Sequence, residues 1–204
     1  AYMGIHIYIW AKNTENPNII LIYMDDLGYG DLSCNGALGY TTTAIDKLAA
    51  KGMRFTNFLT AQAVCSASRA ALLTGCYPNR MGVSGAYFPG SKVGLSPDEV
   101  TMAELFKERN YKTAAIGKWH LGDHPSFMPL NQGFDSYFGL PYSNDMWPVH
   151  YDGSPSANWK KSIPTLPLIL NKDTFALINT LQEQGNLTKQ YTERAISFVE
   201  SNRK

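Results

Sequence analysis

The chain has 204 residues, 44% hydrophobic and 17% charged, with a formal net charge of +1. That composition fits a globular chain long enough to bury one sizeable core. The near-neutral balance gives no broad field for nucleic acid or an anionic membrane, and no run of 18 apolar residues offers a membrane span.

Residues 1–16 read as an N-terminal extension. Within them Ile5, Ile7 and Ile9 alternate with His6, Tyr8 and Trp10, as in an edge strand, a signal-sequence remnant or vector-derived sequence. Residues 17–204 are expected to be the N-terminal part of a larger domain. Asn18–Met24 is a continuous apolar run between Pro17 and Asp25, which predicts a central strand covered on both faces. A loop follows, Asp25-Asp26-Leu27-Gly28-Tyr29-Gly30-Asp31. A helix is predicted over Thr43–Lys51, capped by Thr42 or Thr43 and stopped by Gly52. A short strand is predicted over Phe55–Leu59, and a helix over Ser66–Thr74 that ends at Gly75.

Thr101 and Glu104 form a capping box for a helix over Thr101–Arg109. Tyr111–Ile116 predicts a second buried strand with the loop Gly117–Gly122 after it. Ser126–Tyr151 is rich in Pro, Gly, Asn and aromatics and reads as a long functional loop. Residues 154–172, with three prolines, read as irregular, and Gln190–Ser201 as an amphipathic helix. Strands alternating with helices predict an α/β fold, its sheet mixed, mostly parallel and flanked by helices on both faces. Ligands collect at the carboxyl ends of strands in such folds, where Asp25, Asp26, Lys118 and His120 would lie.

Four groups of residues carry candidate chemistry. Cys65 begins the helix that carries Arg69 one turn on. Unpaired N–H groups at a helix start favour an anion, so a thiol-derived group there could attack an anionic ester. Taken alone, Cys65 is equally a small buried hydrophobe. Asp25 and Asp26 are adjacent carboxylates whose mutual repulsion a divalent cation would relieve; the plainer reading is a turn. Lys118 and His120 are two apart and, on extended backbone, would point to one side, where they could bind an oxyanion and move a proton. The plainer reading is a surface lysine and a packed histidine. Ser143 alone reads as a turn residue. Tyr87, Phe88, Tyr142, Trp147 and Tyr151 fit either a sugar platform or loop core.

Taken together, Asp-Asp-Leu-Gly-Tyr-Gly-Asp, Cys65-x-Ala-x-Arg69 with Arg-Ala-Ala-Leu-Leu-Thr-Gly, Gly-Lys-Trp-His-Leu-Gly and Asn-Gln-Gly-Phe-Asp resemble the sulfatase family in order and spacing. The likeness runs from Pro17 to Asp145, nearest the arylsulfatase A and N-acetylgalactosamine-sulfatase branch. It implies the alkaline phosphatase and sulfatase type of fold, incomplete here. It implies that Cys65 is oxidised to formylglycine, a built-in cofactor. One hydroxyl of its hydrated aldehyde would attack the sulfur of a sulfate ester, and the second would then expel sulfate. Asp25, Asp26 and the group at Cys65 would hold calcium, or magnesium in its place. Arg69 would polarise the nucleophile, Lys118 would bind sulfate, His120 would take a proton from the diol, and Ser143 would approach the substrate.

Ala67 stands where the best-known members have Pro, which implies a bacterial protein matured by an anaerobic, radical-type maturase. The implied substrate is a sulfated glycan or small aryl sulfate, and the implied location periplasmic or secreted. The resemblance further implies a leaving-group histidine and more metal ligands in segments beyond Lys204, so this chain alone is expected to be an incomplete and inactive part of the enzyme. Hydrolysis of phosphate or phosphonate esters, and non-catalytic binding of sulfated glycans with Cys65 left as a thiol, are the alternative readings.

Overall fold

A computed structural model describes residues 16–203. The alternating stretch at 2–11 lies outside the described residues. The chain divides into two units, Ala1–Thr56 and Asn57–Lys204.

In the first unit, Asn18–Met24 is not a strand. A strand exists through its ladder partners, and no described strand pairs with this run. Ile20 is 71% exposed and Ile22 68%. The helix α1 spans Thr43–Lys51 as predicted, and Gly52 ends it by donating its N–H to the Leu48 carbonyl at 2.9 Å. Asp46 anchors it: one carboxylate oxygen accepts from the Thr42 hydroxyl at 2.9 Å and from the Cys34 N–H at 3.0 Å. Phe55–Leu59 is no strand either, and it pairs with none of the described strands.

The second unit holds a four-stranded sheet in chain order: β1 (Ala114–Ile116), β2 (Ser136–Gly139), β3 (Leu166–Leu170) and β4 (Asp173–Ile178). β1 and β2 are parallel, with Ala115 opposite Tyr137; the other two pairs are antiparallel. The sheet is mixed as expected, with its parallel part confined to β1–β2. The helices are α2 (Cys65–Thr74), α3 (Met102–Lys107), α4 (Leu181–Gly185) and α5 (Leu187–Ser201).

β2 places helices on opposite faces of the sheet. Successive strand residues point to opposite sides. Tyr137 packs in a core with Ala67 and Ala70 of α2, Leu95, Trp119 and Leu121. Its neighbour Phe138 packs in a second core with Leu166, Leu168, Ile178 and Leu187, against which Tyr191 of α5 lies. Arg194 caps that side, its guanidinium carbon 4.6 Å from the Phe138 ring centroid, a cation–π contact.

Two stretches read as irregular are in part strands. β2 lies inside the predicted loop 126–151, and β3 inside 154–172. Pro167 sits within β3, yet β2 pairs only with Ile169 and Leu170, so that side of Pro167 carries no ladder bond. The β3–β4 hairpin turns on Asn171 and Lys172, with Asn171 at φ +58 supplying the left-handed residue such a turn needs.

At the end of β2 there is no room for a side chain: a Cβ on Gly139 would collide with the Gly117 backbone. Gly139→Ala is expected to destabilise the protein by about 3 kcal/mol, at the upper end of overpacking costs, read as a lowered urea midpoint with unchanged slope. The capping box at α3 is present, with Thr101 wholly buried and Glu104 half-buried, and the Thr101 hydroxyl also donates to the Gln132 carbonyl at 2.8 Å. Thr101→Ala is expected to cost about 1–2 kcal/mol in the same measurement.

Candidate active site

Cys65 is the first residue of α2, half-buried, with extended Val64 as N-cap. The next residues are small and buried: Ser66, Ala67, Ser68 and Ala70. Small side chains let this helix lie close against Tyr137 and Trp119. Gly75, at φ +68, terminates it. The first N–H groups of a helix have no intrahelical acceptor and lie at its positive end, which here surrounds Cys65. Cys65 takes no part in a disulfide.

Arg69, one turn on, donates from Nη1 to the Lys118 carbonyl at 2.6 Å. The Lys118 ammonium in turn donates to the Ser143 hydroxyl at 3.0 Å. One hydrogen-bonded path therefore joins three separate segments: the helix after Cys65, the loop after β1 and the loop after β2. Ser143 is 8% exposed, and the two residues after it in that loop are tied down. The Gln184 side chain of α4 accepts from Asn144 Nδ2 at 3.1 Å and donates to the Asn144 carbonyl at 3.0 Å. Lys160 donates to the Asp145 carbonyl at 2.9 Å and lies 3.7 Å from its carboxylate. Burial, and then the Asp123 carboxylate, push the neighbouring Tyr142 phenol up to about 12, so it stays neutral near pH 7.

His120 does not share a side with Lys118 on extended backbone. The strand ends at Ile116; Gly117 has φ +106 and His120 φ +60. The backbone still follows the neighbouring chain, with Trp119 N–H to Leu140 carbonyl at 2.9 Å and His120 N–H to Pro141 carbonyl at 3.0 Å. A left-handed histidine breaks the two-residue alternation. It turns the ring, 1% exposed, onto the Tyr87 carbonyl, 2.7 Å from Nε2. A carbonyl only accepts, so Nε2 carries the proton and a neutral ring has its basic nitrogen at Nδ1. The Tyr87 N–H donates to the Ser66 hydroxyl at 3.1 Å. Ser66, Tyr87, Gln184 and Lys160 carried no signal in the motifs, because their contacts run between residues distant in sequence.

Trp119, between Lys118 and His120, is core: 4% exposed, with its indole N–H on the Phe127 carbonyl at 2.8 Å. Tyr142 and Trp147 are likewise buried core, whereas Phe88 is 54% and Tyr151 93% exposed. Asp25 and Asp26 lie in the first unit, Asp26 at φ +56. Their hard carboxylate oxygens suit calcium in kind. Among the described residues no three His, Cys, Asp or Glu side chains gather as a metal-holding group. The pair therefore supplies only part of the roughly 6–8 oxygens calcium takes. No helix among the described residues is long and apolar enough to cross a membrane.

A family profile described as Sulfatase matches residues 17–204. Mouse arylsulfatase G is 40% identical over 203 residues, a match covering 90% of this chain and 38% of the relative. Human arylsulfatase A is 52% identical over 135 residues, covering 65% of this chain and 27% of the relative. The crystal structure of Ps i-CgsB superposes with a TM-score of 0.73 at 34% identity, covering 92% of this chain and 42% of that one. The same protein has been solved in complex with k-i-k-neocarrahexaose. The chain thus spans well under half the length of these relatives. With Cys65, Arg69, Lys118, His120 and Ser143 carried by the helix and sheet of the second unit and the family profile spanning residues 17–204, the chain belongs to the sulfatase family.

Proposed function

We propose that the full-length protein hydrolyses sulfate esters and that the second unit of this chain carries the nucleophile, the sulfate-binding lysine and the proton-accepting histidine. The observation that supports this best is the path from Arg69 through the Lys118 carbonyl and the Lys118 ammonium to Ser143. It holds the ammonium in place by its own backbone and by a buried hydroxyl, as recognition of a sulfate oxygen requires.

Formylglycine derived from Cys65 would supply a nucleophilic hydroxyl, and Asp25 and Asp26 would offer carboxylate oxygens to calcium, whose chemistry is to supply positive charge. The chain's own residues do the rest. The open N–H groups at the start of α2 favour the anion beside residue 65. Arg69 adds a fixed positive charge one turn away. Lys118 binds a sulfate oxygen, and the Ser143 hydroxyl, already accepting from Lys118, has its own proton to donate toward the substrate. Neutral His120 offers Nδ1 as a base. Ala67 in the Cys-x-Ala-x-Arg word supports maturation by an anaerobic-type enzyme. The exposed Phe88 and Tyr151, and the relative solved with k-i-k-neocarrahexaose, support a sulfated glycan as substrate and hence a periplasmic or secreted site of action.

Mass spectrometry of the tryptic peptide Phe55–Arg69 from the native host is expected to find an aldehyde at position 65. A thiol there would overturn the sulfatase reading in favour of sulfated-glycan binding. The aldehyde is also expected after co-expression with an anaerobic-type maturase, and conversion by a copper-dependent maturase alone would refute that assignment. In the matured full-length protein, Lys118→Ala is expected to lower kcat for a sulfate ester by about 10²–10³-fold. If phosphate monoesters turn over faster than sulfate esters, the phosphatase reading prevails.

A further inference from the structure

A second connection in the site runs through Tyr87, a residue outside the motif words. Ser66 is wholly buried, and its hydroxyl accepts the Tyr87 N–H at 3.1 Å. The carbonyl of that same Tyr87 accepts from His120 Nε2 at 2.7 Å. One residue's two backbone groups thus join the neighbour of Cys65 to the imidazole. Elsewhere the loop around Tyr87 is held at Gly90, whose N–H donates to Asp123 at 2.6 Å, and at Leu95, whose N–H donates to the Leu121 carbonyl at 2.8 Å. An amide N–H has a single proton, so Ser66 is the group that fixes the Tyr87 peptide on its amino side.

We propose that Ser66 is a positioning residue for His120, acting through the Tyr87 backbone to hold the ring in its Nε2-protonated tautomer with Nδ1 as the base. Two features make such a hold necessary. A non-glycine residue at φ +60 persists only where its surroundings over-determine it. The two tautomers of a free imidazole interchange, and the hydrogen bond made by one nitrogen decides what the other offers. Removing the Ser66 hydroxyl takes away the acceptor that holds the Tyr87 N–H; the half-buried peptide is then free to shift, and its carbonyl leaves Nε2. The part this plays in turnover rests on the sulfatase reading above; the tautomer itself does not.

The test is two-bond 15N–1H correlation of the histidine rings, tractable because the chain has four histidines. In the unaltered full chain His120 is expected to show a protonated Nε2 and an unprotonated Nδ1. Ser66→Ala is expected to replace that pattern with exchange-averaged tautomers, and Ser66→Thr, which keeps the hydroxyl, to restore it. In matured full-length protein with equal aldehyde content, Ser66→Ala is expected to lower kcat by about 10-fold or more with little change in KM. An unchanged tautomer pattern in Ser66→Ala, or an Nδ1-protonated ring in the unaltered chain, would overturn the proposal. Should Ser66→Ala fail to fold, hydrogen exchange of the Tyr87 amide decides: strong protection supports the proposal, and exchange at the rate of an open loop refutes it. A correct tautomer in a protein that turns over no sulfate ester would count against the function alone.

Discussion

Everything in the second unit is arranged around the close approach of two backbones, residues 117–120 and 138–141. The Gly117 N–H reaches the Phe138 carbonyl at 2.8 Å, and Trp119 and His120 continue the pairing to Leu140 and Pro141 beyond the end of both strands. That approach requires glycine at 139, since any Cβ would meet the Gly117 backbone. From it follow the directions of Lys118 and His120, the depth of Trp119 in the core, and the position from which the second strand's loop delivers Ser143. Backbone hydrogen bonds are short-ranged and directional, so they place these groups more firmly than side-chain packing alone would.

The elements that could be read directly are those whose signals are local. Caps, glycine stops and the Thr101–Glu104 box mark α1, α2 and α3 to within a residue or two, because each rests on contacts within one turn. Strands are different. β2 and β3 sit in stretches whose Pro, Gly and Asn content reads as loop, and they are strands because a distant segment pairs with them. Asn18–Met24 shows the converse: a strongly apolar run with the composition of a strand pairs with none of the described strands, and Ile20 and Ile22 are exposed.

The site was similarly divided. Cys65, Arg69, Lys118 and His120 belong to words whose spacing carries chemistry, and in the second unit the Arg69–Lys118–Ser143 path joins two of them to a serine outside those words. What could not be read was how His120 is aimed. Two-residue alternation assumes extended backbone, and the left-handed turn at 120 cancels that assumption. The supports Ser66, Tyr87, Gln184 and Lys160 bridge separations of 15 to 40 residues, and no periodicity in a single chain encodes such pairs.

The left-handed backbone at Asp26 and His120 has a consequence for engineering. Two residues on which the proposed chemistry leans occupy a region of φ that L side chains rarely adopt and that glycine enters freely. At the exposed Asp26 a directed-evolution campaign that rewarded heat tolerance alone would therefore favour glycine or asparagine, whereas removing the buried ring of His120 would leave a cavity. The hardier variants it returned would have relaxed the very turn that aims a carboxylate, so hardiness and reactivity are opposed at residue 26.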